Sequence, residues 1–439
     1  MYILFEYGDH ISVTDRIGLE IYLHSLWQNH KELWKDQMPE ADDLPKREFQ
    51  PFISFDGVRA KANNFVGFIH YGNELLEIYP KVFRQMLNPN KELMHQHLFY
   101  WFSYCKKIKF PFNQSFLNNF DSDYFPELII YLIANQINEV VNTKPYSAYE
   151  EVEEALLMPR GKINFGRYTR NLAFGKSQYI DCDYEPFVYD NKVNRVIKYC
   201  VRLLLSKTVV PETQRILNGT INVLDEVEDQ VCSITQLNQI KIPTLFVDYE
   251  DVMHSCRMII ENQVYSYVEY EMKNWSVLFP MEYIFEDFIS GFLKKHFNQE
   301  FDIESQKSEL YLHQDPQTFN LQHDILLTNR KTKEKIIIDT KYKPRWGLSV
   351  SDKKKGVSQS DMYQMISYAY RRGTDKVILL YPNTSDKLAE DYMFTVQKSK
   401  ENEHIKIKVV DIPFWSSTDH KEVESKLLTK LGSVLLSGF

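Results

Sequence analysis

The strongest constraint on the fold lies in residues 321–343, where two apolar runs flank a polar, turn-prone stretch at 328–335. This pattern predicts a β-hairpin. The second apolar run, Ile336–Ile338, leads directly into Asp339 and Lys341, so charged side chains stand at the end of a strand that requires burial. Because residues two apart on a strand point to the same face, these two side chains are predicted to project together.

A second carboxylate is predicted to join them. Asp324 lies on the first strand of the hairpin, and two carboxylates with an ammonium suit phosphodiester hydrolysis, because Mg²⁺ prefers carboxylate oxygens, water and phosphate. An isolated Asp-x-Lys also occurs on surface hairpins whose charges are only solvated. A helix predicted at 361–370 favours the functional interpretation, since it places Gln364 and Tyr368 one turn apart on one face.

The rest of the chain predicts a mixed α/β, α+β multidomain protein. A β-rich start contains a hairpin around Gly72-Asn73, and helical patterns follow from about residue 91. Asn274–Pro280 is interpreted as a hinge into a final unit, which opens with an amphipathic helix at Met281–Phe297 and then alternates strands and helices. The predicted domains are a β-rich N-terminal region (1–150), a largely helical middle region (151–274) and a C-terminal unit (275–439).

Charge is distributed unevenly along the chain. The net charge is −8, from 52 Lys and Arg against 60 Asp and Glu, which argues against a histone-like protein that coats nucleic acid. Residues 329–376 nevertheless contain 13 basic against 5 acidic residues, a local balance of +8. Nucleic acid is therefore predicted to contact the hairpin and the helix of Gln364, while the acidic remainder suits protein partners.

Compartment is indicated by the cysteines and by the apolar runs. The five cysteines are odd in number, widely spaced and without a Cys-x-x-Cys pair, which predicts reduced thiols rather than disulfides or an all-cysteine zinc site. The apolar run Leu128–Ala134 is far short of the ~20 residues that a membrane span needs, and no secretory signal is visible. A cytoplasmic protein is therefore expected.

The motifs together resemble a known family. Asp324, then Asp339-Thr340-Lys341, then Gln364-x-x-x-Tyr368 are similar to the PD-(D/E)xK nuclease superfamily. The chain also resembles McrC, the nuclease subunit of McrBC-type modification-dependent restriction systems. That resemblance covers roughly residues 60 to 380 and rests on further landmarks in the same order, which are Leu76–Lys81, Pro159–Gly161, Asn194–Arg195 and Phe285–Glu286.

The resemblance implies a restriction-endonuclease-like C-terminal domain with a central mixed sheet flanked by helices. It implies Mg²⁺ as cofactor, with Mn²⁺ as a substitute, and Lys341 as the catalytic lysine. Gln364 would place the substrate or hold the site, and His323 stands where the motif has proline. The implied metal ligands are Asp324, Asp339, Thr340 through its carbonyl, and Glu286. The alternative for Glu286 is an exposed carboxylate on an amphipathic helix.

The resemblance also implies partners, namely a hexameric McrB-like AAA+ GTPase and double-stranded DNA. Gly175-Lys176-Ser177 is similar to the end of a P-loop, but the required first glycine is replaced by Arg170, so no nucleotide site is expected in this chain. The hairpin around Gly72-Asn73 and the basic Lys162–Lys176 loop are candidates for the partner contact. Arg160 and Arg195 could contact the partner or pair within the chain.

The leading hypothesis is thus a Mg²⁺-dependent endonuclease subunit of a GTP-dependent restriction system specific for modified DNA. One alternative is a nuclease of the same superfamily that needs no partner. Another is a catalytically silent adaptor that stimulates the GTPase.

Overall fold

The computed structural model describes residues 1–37, 49–86, 90–106, 124–261, 274–315, 317–345, 352–398 and 403–436. The chain forms two compact units: unit 1 joins Met1–Phe125 to Trp275–Phe439, and unit 2 is Pro126–Asn274. The predicted first and third regions thus share one unit, and the first boundary falls at residue 125 rather than at 150.

The N-terminal part of unit 1 is β-rich, as predicted. Its helices are α1 (Arg16–Gln37) and α2 (Lys91–Phe102), and its strands are β1 (Tyr2–Phe5), β2 (Ile11–Ser12), β3 (Ile53–Asp56), β4 (Arg59–Ala62), β5 (Phe65–Tyr71) and β6 (Glu74–Tyr79). The hairpin of β5 and β6 turns at Gly72, which has a φ of +56° that glycine adopts without a steric cost. Pro80 ends β6, because proline has no N–H for the ladder.

The segment interpreted as a hinge is a buried strand. β12 (Trp275–Pro280) pairs antiparallel with β5 and completes a four-stranded sheet in the order β1-β6-β5-β12. The hinge prediction is therefore wrong. The apolar side chains of β12 are all buried, because both faces of the strand are covered. The pairing of β12 with β5 connects the start of the C-terminal part to the N-terminal sheet.

The C-terminal part of unit 1 is built on a six-stranded mixed sheet. Its helices are α9 (Met281–His296), α10 (Gln359–Arg372) and α11 (His420–Leu436), and its strands are β13 (Phe301–Gln314), β14 (Gln317–Asn329), β15 (Lys335–Thr340), β16 (Lys376–Pro382), β17 (Tyr392–Gln397) and β18 (His404–Ile412). The strand order is β13-β14-β15-β16-β18-β17. β15, β16 and β18 run parallel, so their carboxyl ends meet at one edge of the sheet.

Helices cover both faces of this sheet. Ile337 packs with Met365 and Ala369 of α10 in a buried cluster on one face. On the other face, Phe285 of α9 contacts Phe414, whose ring also stacks on Trp101 of α2 at 3.9 Å between centroids. The Trp101 Nε1–H donates to the Phe414 carbonyl at 2.9 Å. α2 therefore belongs to the layer that covers the C-terminal sheet, which explains why the two parts form one unit.

Unit 2 contains small sheets as well as helices. Its helices are α3 (Phe125–Thr143), which begins at the last residue of unit 1, α4 (Phe165–Ala173), α5 (Lys192–Leu205), α6 (Pro211–Val223), α7 (Ile234–Asn238) and α8 (Asp248–Glu261), and its strands are β7 (Ala148–Tyr149), β8 (Val152–Leu156), β9 (Lys162–Ile163), β10 (Ile180–Tyr184) and β11 (Phe187–Val188). The end of the predicted helix at 250–273 lies outside the described residues. The prediction of a loop at Lys162–Lys176 is wrong, since this segment contains the helix α4. The Asn164 side chain accepts from the Arg167 N–H and caps the start of that helix.

Two findings bear on the expected compartment. All five cysteines are free thiols, and all except Cys105 are buried. Within the described ranges, the helices are too short or too polar to cross a membrane.

Two helical glycines provide a test of the close packing of α9. A Cβ on Gly291 would lie 1.9 Å from the Tyr104 carbonyl oxygen, whereas a Cβ on Gly432 of α11 meets no described atom within 4 Å. Gly291→Ala should lower the free energy of unfolding by roughly 1–3 kcal/mol, the usual cost of overpacking. Gly432→Ala should raise it by about 0.5–1 kcal/mol, because alanine loses less backbone entropy. Chemical denaturation measures both, and a loss of equal size in both variants would contradict the packing.

Candidate active site

The site forms where β15 reaches the carboxyl edge of the sheet. Ile336, Ile337 and Ile338 are buried, which anchors the strand from both faces. Ile337 points toward α10, and alternation therefore directs Asp339 and Lys341 to the same side. Asp339 is only 1% exposed, so its carboxylate lies at the bottom of the site rather than on its rim.

Asp324 is brought beside Asp339 by the pairing of β14 with β15. Ile325 pairs with Ile338, and the same register places Asp324 opposite Asp339. Thr340 donates twice to one oxygen of Asp324: its backbone N–H and its hydroxyl each lie 2.6 Å from Oδ2. These bonds fix the Asp324 carboxylate through a single one of its two oxygens.

Lys341 is held by contacts from two elements. Its Nζ lies 2.8 Å from Asp339 Oδ2 and donates to Gln364 Oε1 at 3.2 Å. Gln364 in turn donates through Nε2 to Tyr368 Oη at 2.7 Å, and that hydroxyl donates to the Gln322 carbonyl at 2.6 Å. Gln364 therefore holds the lysine, and Tyr368, buried in the core, connects α10 to β14. The predicted pairing of Gln364 with Tyr368 on one face of the helix is confirmed.

The electrostatics follow from burial of like charges. Burial, and next the negative charge of Asp324, raise the pKa of Asp339 to about 7, although Lys341 partly opposes this. For Lys341, burial lowers the pKa, but the attraction of Asp339, Asp324 and Asp361 outweighs it, so the pKa lies above its usual range. Lys341 is thus a cation at neutral pH. For Asp339, the neighbouring positive charge does not fully offset the cost of ionising the buried carboxyl.

Asp361 is a site residue that the sequence patterns did not single out. It is buried at the start of α10, and its backbone N–H donates to the Ser358 hydroxyl at 3.0 Å. Its Oδ1 lies 3.9 Å from Lys341 Nζ and 3.6 Å from Lys343 Nζ. The signal available in the sequence was its position three residues before Gln364, which places the two side chains on one face of the helix.

Glu286 lies on α9, the helix on the other face of the sheet. Four residues later on that helix, Ser290 contacts Ser305 at 2.6 Å between hydroxyls, and Ser305 pairs with Ile325. Glu286 is 7% exposed, so the alternative of an exposed carboxylate is wrong. Burial, Asp324 and Asp361 raise the pKa of Asp339. A ligand role for Glu286 stays a prediction.

The donor set restricts which metal ion the site can hold. Among the residues that the structure describes, no three His, Cys, Asp or Glu side chains are grouped as a metal cluster. Asp324 and Asp339 provide two carboxylates without a nitrogen or sulfur ligand. This suits a hard cation such as Mg²⁺, which retains water and binds phosphate, better than zinc. A cation would also offset the burial and the repulsion from Asp324 that together raise the pKa of Asp339.

The structure corrects the predicted location of the basic charge. β15 and β16 are parallel and begin at Lys335 and Lys376, at the opposite end from Asp339. Lys376 Nζ is 3.1 Å from Glu334 Oε1 in the hairpin turn, which confirms this placement. Basic residues at this far end include Arg330, Lys331, Lys333, Lys335 and Lys376. Those at the site end are Lys341, Lys343, Arg345 and Lys353–Lys355, so the charge does not surround the site as a whole.

At the site end, Arg345 bonds to groups of the chain itself. It is buried, and its Nε donates to Asp411 Oδ1 at 2.8 Å, while a second nitrogen donates to the Lys355 carbonyl at 2.7 Å. Asp352 accepts from the N–H groups of Lys354 and Gly356 and so closes a tight turn. The turn presents Lys353 and Lys354 to solvent at the edge that carries Asp339.

The landmarks of unit 2 have structural roles. Arg195 pairs with Asp190 through two bonds of 2.8 Å, which resolves its ambiguity in favour of pairing within the chain. Arg160 lies over the Tyr184 ring, 4.6 Å from its centroid. The next residue, Gly161, has a φ of +66°, and a Cβ there would lie 2.6 Å from the Asp183 carbonyl oxygen, so this turn requires glycine.

The chain is similar to known proteins in sequence and in fold. Residues 60–382 match the family described as McrBC 5-methylcytosine restriction system component. No curated protein matches the chain. A chain in the refined half-complex from the tetradecameric assembly of Thermococcus gammatolerans McrB AAA+ hexamers with bound McrC is similar, with 16% identity, 99% of each chain covered and a TM-score of 0.66. The cryo-EM structure of the Thermococcus gammatolerans McrBC complex gives 18% identity over 67% of this chain and 87% of that chain, with a TM-score of 0.47. The first likeness shows a shared fold along almost the whole length.

The raised pKa of Asp339 predicts a particular dependence of stability on pH. Asp339 stays protonated in the metal-free folded state up to about pH 7 but ionises near its usual value when unfolded, so the free energy of unfolding should fall as pH rises from about 4 to about 7. Asp339→Asn removes this contribution. The stability of the variant relative to wild type should therefore increase between pH 5 and pH 7 by more than ~1 kcal/mol, the equivalent of one pKa unit, and then level off.

Denaturation in EDTA at several pH values measures this difference, with Asp302→Asn as the control at an exposed position. A gap that stays constant from pH 5 to pH 8 would show that Asp339 titrates normally.

Proposed function

The chain belongs to the McrBC 5-methylcytosine restriction system component family, and we propose that it is the McrC-type endonuclease subunit of such a system. It would hydrolyse phosphodiester bonds of modified double-stranded DNA in the cytoplasm with Mg²⁺, or Mn²⁺ as a substitute. The observation that carries this proposal is the grouping of two buried carboxylates and a partly buried ammonium at one strand end.

The fold supports a PD-(D/E)xK nuclease domain in unit 1. A mixed sheet with helices on both faces places Asp324, Asp339 and Lys341 at the edge where parallel strands end. Rigid strands suit a hydrolytic site, because small displacements of catalytic groups cost large factors in rate. The core cluster between the sheet and α10 provides that rigidity.

Each side chain has a role that follows from its surroundings. Asp324 and Asp339 would hold the metal ion, with the Thr340 carbonyl as a further ligand and Glu286 as a candidate. When bound, Mg²⁺ would lower the pKa of a coordinated water and offset charge that develops on the phosphate. Thr340 orients Asp324 through its two hydrogen bonds.

Lys341 would neutralise the charge of the phosphate in the transition state. Its raised pKa keeps it protonated, so it acts as a cation and not as a general base at neutral pH. Gln364 accepts one hydrogen of the ammonium and so orients the others. Asp361 holds Lys341 and Lys343 from the start of α10.

The family supports a second subunit that supplies energy. We infer that this chain docks on a hexameric AAA+ GTPase and stimulates it, since the similar assembly is one of McrB AAA+ hexamers with bound McrC. The absence of a P-loop motif from the sequence agrees with an external source of energy. The β5–β6 turn and the Lys162–Lys176 segment remain the candidate contacts. Large apolar side chains are exposed on the second of these and on the residues just after β8. They are Leu157, Met158, Phe165 and Phe174.

Cleavage by the assembled system tests the catalytic assignment. The chain is mixed with its GTPase, GTP, Mg²⁺ and methylated DNA. Asp339→Ala and Lys341→Ala should each reduce single-turnover cleavage by about 10²-fold or more, the scale of losing an electrostatic catalytic group. Stimulation of GTP hydrolysis should persist, because neither residue lies in either candidate contact with the GTPase. Lys376→Ala, at the far end of β16, serves as the matched basic control and should cleave normally.

The alternatives give different results in the same assay. Robust cleavage by the isolated chain, independent of GTP, would favour a nuclease without a partner. Stimulated GTP hydrolysis without cleavage in Mg²⁺ or Mn²⁺ would favour the adaptor. Wild-type rates in both active-site variants would reject the site.

The distribution of lysines predicts which edge contacts DNA. Changing Lys353, Lys354 and Lys355 to alanine should reduce the slope of log affinity against log salt by up to ~0.9 for each phosphate that is no longer neutralised. The matched control changes Lys331, Lys333 and Lys335, the same number of charges at the far end of the sheet, and should leave the slope unchanged. Fluorescence anisotropy across a salt series measures both, and an equal reduction of the slope in the two triple variants would contradict the assignment of the site edge.

A further inference from the structure

A carboxylate from the N-terminus is buried beside the candidate active site. Glu6 follows β1, and its N–H donates to the Tyr79 carbonyl at 2.9 Å, which extends the pairing of β1 with β6. The side chain is completely buried. Its Oε2 accepts from the Lys81 N–H at 3.0 Å and from the Tyr342 hydroxyl at 2.7 Å. The bond to Tyr342 spans 336 positions of the sequence and reaches the residue directly after Lys341.

Lys81 contacts Tyr342 as well as Glu6. It lies just after Pro80, and its Nζ is 4.2 Å from the centroid of the Tyr342 ring, within the range of a cation–π interaction. The ring of Tyr342 also contacts Phe285 of α9 at 5.8 Å between centroids. We call Glu6, Lys81 and Tyr342 the junction. All three are buried or nearly so, and they connect the N-terminal sheet to the end of β15.

Because side chains alternate along a strand, the contacts that hold Tyr342 also affect the direction of the Lys341 side chain. β15 ends at Thr340, and beyond it the Lys341 N–H still donates to the Leu380 carbonyl at 2.8 Å. Lys341 points to the face of α10, and Tyr342 therefore points to the opposite face, toward α9. Fixing the Tyr342 side chain fixes the rotation of the backbone at this point, and with it the direction in which Lys341 leaves the strand.

Packing alone would not require a carboxylate at this place. Burying a carboxylate is costly unless hydrogen bonds compensate it, and a leucine would fill a similar volume without that cost. Within the described part of the chain, Glu6 Oε1 has no hydrogen-bond partner, so only one of the two oxygens is satisfied. The cost is understandable if the acceptor at Oε2 has a role in holding Tyr342.

We propose that Glu6 and Lys81 are positioning residues of the nuclease site, acting through Tyr342 to hold the Lys341 ammonium against Asp339. This inference rests on the proposed function and extends it, because it makes the N-terminal β-sheet part of the apparatus that orients the catalytic lysine. The first residues of the chain and the Leu76–Lys81 landmark then serve Lys341, 260 or more positions away in the sequence.

The test uses three variants of the full chain. Tyr342→Phe keeps the ring and removes the hydroxyl, Glu6→Leu removes the acceptor, and Glu6→Gln keeps one acceptor oxygen and can retain both hydrogen bonds. Two readouts are measured. The first is the rate at which the Lys341 amine reacts with acetic anhydride in the metal-free chain, by mass spectrometry, with Lys376 as internal reference. The second is single-turnover cleavage by the assembled system, together with DNA affinity.

Tyr342→Phe and Glu6→Leu should increase the reactivity of Lys341 and reduce the cleavage rate by roughly 10- to 100-fold, the scale of a small misplacement of a catalytic group. DNA affinity should not change. Glu6→Gln should restore both readouts to near the wild-type level. The double variant Glu6→Leu/Tyr342→Phe should be no worse than the poorer single variant, because both changes break the same contact.

A matched control separates positioning from general stability. Tyr79→Phe also removes a buried hydroxyl, one that contacts Glu77 at 3.2 Å and His95 at 2.9 Å, from the strand next to β1. It should lower the melting temperature without changing the reactivity of Lys341. Unchanged Lys341 reactivity in both Tyr342→Phe and Glu6→Leu would overturn the proposal, and so would a Glu6→Gln variant as defective as Glu6→Leu. Because the labelling needs neither DNA nor metal, it tests the junction even if wild type fails to cleave, which would reject the nuclease instead.

Discussion

The burial of the Asp339 carboxylate beside that of Asp324 is the constraint on which the arrangement of the site depends. Removing one carboxylate from water is costly, and a second within the same site adds repulsion. The strand that carries Asp339 is held by apolar packing on both faces, so the charge cannot move out to solvent. Lys341 lowers the pKa of Asp339, but burial and the negative charge of Asp324 outweigh this and raise that pKa to about 7. A bound cation would offset this cost.

The surrounding contacts fix the groups that offset this charge. The chain of bonds from Lys341 through Gln364 and Tyr368 reaches the backbone of β14, so the lysine is held from the neighbouring strand. From the other face, Tyr342 is held by Glu6. Lys341 and the adjacent Tyr342 are thus contacted by elements from the N-terminal and C-terminal parts of the chain. This gives a physical reason why residues 1–125 and 275–439 form one unit instead of two independent domains.

Local patterns in the sequence were sufficient to predict the hairpin of β14 and β15, the helix of Gln364 and the turn at Gly72. Each depends on neighbouring residues, since alternation, helical spacing and turn propensity act over a few positions. The direction of strands was not accessible in this way. A count of charges over 329–376 therefore combines both ends of the sheet, and local pattern predicts a hinge at 274–280 where the structure has the strand β12. The contact of Glu6 with Tyr342 leaves no local pattern at all, because 336 positions separate the two residues.

The most direct test of the proposed metal site is the location of a bound Mn²⁺ ion. Crystals of the chain grown or soaked with Mn²⁺ give an anomalous signal that identifies the ion without reference to activity. We expect a peak within coordination distance, about 2.0–2.4 Å, of carboxylate oxygens of both Asp324 and Asp339, and its disappearance in Asp339→Asn. No peak at this position at saturating Mn²⁺, or an ion bound by neither carboxylate, would contradict the claim that these two residues form the metal site of a nuclease.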